Sequence, residues 1–209
     1  MNEPALLQFG NGALSIVAAI FVLGANQKAS VRRVRWWLAL AILLGAAMYL
    51  AQFAFALNNP SAGLTRDQVY ISLAFNLSST FCMGIAVLSH YMRRRLRERT
   101  SAVVLVLVLA ATAAFDLVFT GWYASSAVNF LLFGVLAWSV RNEDIASSMV
   151  FLAYACLQVP RKLGSAGHLE FDFGLLVVSK FALIGAIYKT LDALQARETE
   201  STAQDGTTA

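Results

Sequence analysis

The residue in this chain best placed to do chemistry is a lysine in apolar surroundings. Lys180 lies midway along the run FGLLVVSKFALIGAIY, residues 173–188. A charged side chain at the centre of a bilayer costs roughly 2.5 kcal/mol or more, so such a residue is a functional-site candidate by default. The cost is avoided if the amine is neutral, faces an internal cavity, or is bonded covalently to a ligand. Snorkelling is a poor fourth route. About 13 Å of helix rise separates Lys180 from Lys189, and a lysine stem reaches only about 6 Å. The bland alternative is a neutral lysine packed among its neighbours.

The other polar groups within apolar runs are Tyr49, Gln52, Asn76, Ser78, Ser79, Thr80, Asp116, Asn129, Tyr154 and Gln158. Serine and threonine in membrane helices commonly bond their own backbone or a neighbouring helix, so most need no function. Asp116 is the only acidic residue well inside such a run. It reads equally as a structural carboxyl or as one near the outer interface. Cys82 and Cys156 read as free packing thiols. His90 and His168 lie at a span end and in a loop, which excludes a bis-histidine haem site at bilayer depth. No paired carboxylates, Ser-His-Asp set, metal-ligand cluster or phosphate-binding glycine loop falls within plausible reach. An enzyme is not expected, and Lys180 is the one reactive candidate, with Schiff-base formation its best-fitting reaction.

Composition states which elements must hold these groups. The 209 residues are 58% hydrophobic and 13% charged, against about 25% charged in soluble domains; the mean hydropathy is +0.63. A multi-pass membrane protein follows. Hydropathy predicts seven helical spans, at about 5–24, 36–57, 68–91, 102–121, 122–140, 144–160 and 173–191. The break between the fourth and fifth rests on Gly121-Trp122-Tyr123 alone. Short loops imply one all-α bundle of antiparallel neighbours over residues 1–196. The polar segment 197–209 is expected to be a disordered tail. With Glu3 in place of a basic leader region, the first run reads as a retained helix.

Orientation follows from the basic residues. Lys28, Arg32, Arg33, Arg35, Arg93, Arg94, Arg95, Arg97, Arg99, Arg141, Lys189 and Arg197 fall on one side, and Arg66, Arg161 and Lys162 on the other. The N-terminus is expected outside, the C-terminus in the cytoplasm, and the protein in the inner (plasma) membrane. The run RRRLRER sits at a membrane exit, where topology and lipid headgroups account for it, so no nucleic-acid partner is expected.

An N-out seven-helix bundle with one lysine in the middle of the last helix resembles the microbial rhodopsins. Ala47-Met48-Tyr49-Leu50 is similar to the helix-two segment whose tyrosine faces the retinal in that family. Ala153-Tyr154 is similar to the helix-six segment that closes the pocket from the other side. Ser78-Ser79 stand where the family often has paired threonines, and Asp116 with Thr120-Gly121 resembles the stretch beside the ring end of retinal. The resemblance implies retinal as cofactor, bound as a Schiff base to Lys180, with Tyr49, Phe75, Ser78, Ser79, Asp116, Phe151 and Tyr154 around it. It covers nearly the whole chain, to about Leu194.

The chain departs from that pattern at its charges. Ala74 stands at the usual helix-three counterion, Phe75 at the following tryptophan, and Leu176 at the helix-seven carboxylate. Phe151 and Gln158 replace the aromatic residues that flank the polyene, and Ala155 replaces a proline, with Pro160 arriving later. A proton pump of the usual design is therefore not supported. Without an opposite charge nearby the protonated linkage is disfavoured. The expected pigment is largely neutral at pH 7 and absorbs in the near ultraviolet, unless an anion, or Asp116 through water, compensates.

Two further readings compete. One is a pigment-free sensory module, similar to seven-helix input regions that precede kinase or cyclase domains, its tail contacting a cytoplasmic signalling partner. The other is a small transporter, for which Leu157-Gln158-Val159-Pro160 resembles the proline-hinged helices of seven-helix sugar carriers. Besides the lipid bilayer, a second copy of the chain is an expected partner, since small bundles of this kind often associate.

Overall fold

In a bilayer no water is available to backbone N–H and C=O groups, so an apolar chain must satisfy them within helices. The computed structural model follows that rule. It describes residues 3–24, 31–58, 65–92, 94–119, 123–157 and 169–207, and among these it is helical, without strands. The helices are α1 (Glu3–Gly24), α2 (Arg32–Asn58), α3 (Arg66–Ala86), α4 (Glu98–Val118), α5 (Tyr123–Val140), α6 (Ile145–Leu157) and α7 (Leu169–Thr207). Among the described residues four helices are long and apolar enough to cross a membrane: α1, α2, α3 with its extension to Tyr91, and α4. Such helices mark a membrane protein. α5 and α6 are apolar but shorter. Thr120, Gly121, Gln158, Pro160 and His168, singled out above, lie outside the described residues.

Local sequence explains the helix ends. Thr65 caps α3 through a reciprocal box: its hydroxyl accepts from the Gln68 N–H at 3.4 Å, and Gln68 Oε1 accepts from the Thr65 N–H at 2.9 Å. Asp144 caps α6, its carboxylate accepting from the Ala146 N–H at 3.2 Å and from the Ser147 hydroxyl. The far end of α3 widens into a π turn over Val87–Tyr91. That turn buries Tyr91, whose hydroxyl meets Thr190 Oγ1 of α7 at 3.1 Å, and Ser89, whose hydroxyl donates to Ser101 of α4 at 2.8 Å.

Sequential helices pack side by side, and α7 returns to pack on α1, which closes a ring; α3 also touches α5 across it. Small residues permit the tightest approaches, as is usual between membrane helices. A Cβ on Gly84 would lie 2.6 Å from the Leu105 side chain of α4, and one on Gly12 would lie 2.7 Å from Leu50 of α2. α4 turns Ser101, Leu105, Leu109, Thr112 and Asp116 inward. Its opposite face leaves Leu107 67% and Val118 74% exposed. Polar residues inside and apolar residues outside is the arrangement that lipid favours.

The densest apolar core lies where α1 ends and α2 begins. Val22, Val34, Leu38, Tyr91, Leu136, Phe151, Ile187 and Leu191 pack there. α7 continues as helix to Thr207, through the segment that composition marks as disordered. The start of that segment is tied down, because Arg197 donates to the Glu143 carboxylate in the turn before α6.

Candidate functional site

Directly beside this core, five helices and the N-terminal α1 leave an interhelical cavity of about 150 Å³. Lys180 of α7 reaches into it. Its Nζ donates to Ser15 Oγ of α1 at 3.0 Å and lies 5.6 Å from the centre of the Tyr49 ring of α2. That distance is within cation–π range. Tyr154 of α6 forms the opposite wall. It hydrogen-bonds Ser179, the neighbour of Lys180, and its ring packs against Phe133 of α5 at 5.6 Å between centroids.

A second polar group faces the same cavity from α3 and α5. The Thr80 hydroxyl lies 2.8 Å from both Asn76 O and Asn129 Oδ1, and Asn129 Nδ2 donates to Asn76 Oδ1 at 3.3 Å. Ser79, whose hydroxyl donates to Ala41 O of α2 at 2.7 Å, also lines the cavity. Met48, Met83 and Leu183 supply the apolar part of the wall. Among the described residues the wall carries no carboxylate.

The structure therefore brings together four of the eight residues expected around the chromophore: Lys180, Tyr49, Ser79 and Tyr154. The other four lie elsewhere, for geometric reasons. Ser78 is exposed; it sits about 100° around α3 from Ser79 and about 200° from Thr80, the two residues that face the cavity, and so points away from it. Phe75 is half-buried and does not line the cavity, lying one turn before Ser79. Phe151 is fully buried one turn from Tyr154, inside the apolar core. Asp116 is 2% exposed and is occupied by backbone: Ala124 N–H donates to Oδ1 at 2.8 Å and Ser125 N–H to Oδ2 at 3.0 Å. It holds the first turn of α5 by accepting from two of the N–H groups that a helix start leaves without an intrahelical partner.

Ser15 is the polar cavity residue that sequence reasoning missed. As the only hydroxyl in the run ALSIVAAIF it stood out from its neighbours. Only the packing of α7 on α1 gives it a role. Comparison with family models, with curated proteins and with solved structures gives no match for this chain.

Chemically, the arrangement is an amine held by a hydroxyl and an aromatic face, without an acid partner among the described residues. Such an amine is suited to condense with a carbonyl or to donate hydrogen bonds to an acceptor ligand. A polar cavity of this size accepts one benzene-sized group or about five waters.

Proposed function

We propose that the chain is a seven-span membrane protein, N-terminus outside and C-terminus cytoplasmic, that binds retinal through Lys180 as a Schiff base. It then acts as a rhodopsin-like photoreceptor or light-driven ion-translocating protein. The observation that carries this reading is the position of the Lys180 amine. It points from α7 into an interhelical cavity between Tyr49 and Tyr154, with no carboxylate on the wall among the described residues. A lysine so placed is accounted for by a covalent carbonyl ligand better than by a free cation. The twelve basic residues on one side support the orientation.

A cavity of about 150 Å³ is smaller than a polyene, so the ligand must part the wall. Met48 and Met83 are the flexible members of that wall and the first to give way. The same small volume favours a second reading, a pigment-free sensory module in which the Lys180–Ser15 bond simply joins α7 to α1.

The test is the absorption spectrum of the purified protein after adding all-trans retinal, beside Lys180→Ala. The expected result is a new band in the near ultraviolet, absent from the variant and bleached by hydroxylamine. Free-retinal absorption in both proteins would overturn the chromophore reading and leave the sensory module.

A further inference from the structure

Two concavities lie away from the Lys180 cavity, at the end of the bundle that carries most of the arginines. One is bordered by Arg33, Arg97 and Arg99, but there Glu98 already accepts from Arg33 at 3.4 Å and meets His90 Nε2 at 3.1 Å. Its charge is partly spent, and it opens onto polar side chains.

The other is built differently. It is a crevice of about 480 Å³ on the outer face of α5, where the chain leaves the π turn of α3. Its floor is apolar: Phe130, Leu131 and Trp138, the last two more than 60% exposed. Gly134 lies among them, and a Cβ there would meet nothing within 4 Å, so the floor is open at that turn. Two guanidinium groups, Arg94 and Arg141, stand at its polar end. Neither is paired with a carboxylate among the described residues.

Arg141 is also held in place. Its guanidinium lies 3.3 Å above the centre of the Trp138 ring, and its NH1 donates to Trp138 O at 2.8 Å. A guanidinium has five N–H donors in a rigid plane. Stacking on the indole fixes that plane and leaves most of its edge for an oxygen-rich anion. Tryptophan is itself a marker of headgroup depth in membrane proteins.

We propose that this crevice is a specific site for one anionic phospholipid. Its acyl chain lies over Gly134 between Leu131 and Trp138, and its headgroup phosphate sits between Arg94 and Arg141. Charge complementarity selects the occupant. A neutral lipid fills the apolar floor but leaves two cations unpaired, and a soluble phosphate leaves the floor empty. Basic pockets at the membrane exit of helix pairs recognise anionic headgroups by this combination.

The test uses the full chain in a zwitterionic detergent, titrated with phosphatidylglycerol or phosphatidylcholine and read by native mass spectrometry. The expected preference for phosphatidylglycerol is about thirtyfold, since two arginines near the surface contribute about 2 kcal/mol. Arg94→Gln with Arg141→Gln brings the two lipids to near parity. Gly134→Leu fills the floor and weakens both, while circular dichroism and gel filtration keep the wild-type profile. An unchanged lipid ratio in the double arginine variant overturns the proposal, as does undiminished binding by Gly134→Leu. A dimer that forms as lipid is removed and is lost in Gly134→Leu also overturns it, assigning the face to a second copy of the chain.

Discussion

Lys180 and Ser15 lie 165 positions apart and are joined by a 3.0 Å hydrogen bond that ties the seventh helix to the first. Interhelical bonds of this type contribute about 0.6 kcal/mol on average in membrane proteins, and at most about 1.7. Ser15→Ala is therefore expected to lower stability by that amount, and Lys180→Met to leave the helical fold intact. The coupling in a double-mutant cycle, from thermal unfolding in detergent, is expected between those values. A coupling of zero would mean that the amine has another partner in lipid.

Asp116 makes a sharper prediction, because its carboxylate is already committed to Ala124 and Ser125. Asp116→Ala leaves two buried N–H donors unpaired and is expected to cost about 1–3 kcal/mol. Asp116→Asn, which keeps an acceptor, should cost less. Asp116 does not line the Lys180 cavity, so neither variant should move the absorption maximum of a Lys180 pigment. A shift on Asp116→Asn would show that the carboxyl reaches the chromophore.

Gly84 tests the contact of α3 with α4. Alanine there places a methyl 2.6 Å from Leu105 Cδ2, and overpacking of this kind costs about 1–3 kcal/mol. Adding Leu105→Ala removes the clash. The double variant should be more stable than the two single costs add up to, and simple additivity in chemical denaturation would place the strain elsewhere.

Asp144 carries the pH dependence that can be worked out from outside the membrane. The Ser147 hydroxyl holds its carboxyl below the usual range; burial opposes it, and Lys189 at 3.6 Å and the Ala146 and Ser147 N–H groups add to the lowering. A depressed folded-state value contributes stability above the unfolded value of about 3.9, and this is lost as pH falls through the folded one. Asp144→Asn preserves the cap but not the charge. Its melting temperature should trail wild type by a constant margin above about pH 5 and converge with it below about pH 4. A constant margin down to pH 3 would refute the assignment.

How much of this was legible in the sequence depends on the range of the interaction. The seven helices follow from apolar runs alone, because lipid leaves the backbone no alternative to helix. The change from α4, which ends at Val118, to α5, which begins at Tyr123, was legible because Gly121-Trp122-Tyr123 alone interrupts the apolar pattern there. Lys180, Tyr49 and Tyr154 could be picked out because a polar group in an apolar run is locally conspicuous. Ser15 could not be assigned, since its value lies in a neighbour 165 residues away. Ser78 and Ser79 look equivalent on paper, and only the rotation of α3 decides that Ser79 faces inward. Asp116 was undecided between burial and interface because its partners are backbone N–H groups, which leave no trace in side-chain pattern.

The packing of α7 against α1 also dictates an order of biosynthesis. Helices leave the ribosome in sequence, so Ser15, Tyr49, Ser79 and Tyr154 are all in the membrane before Lys180 arrives. α7 is the one helix that packs on both α6 and α1, so the ring of contacts closes only with it. The site is thus completed only by the last helix, and the lysine that enters it also joins that helix to the first. Until α7 packs against α1, Ser15, Tyr49, Ser79 and Tyr154 have no amine between them, and the cavity has nothing to retain a ligand.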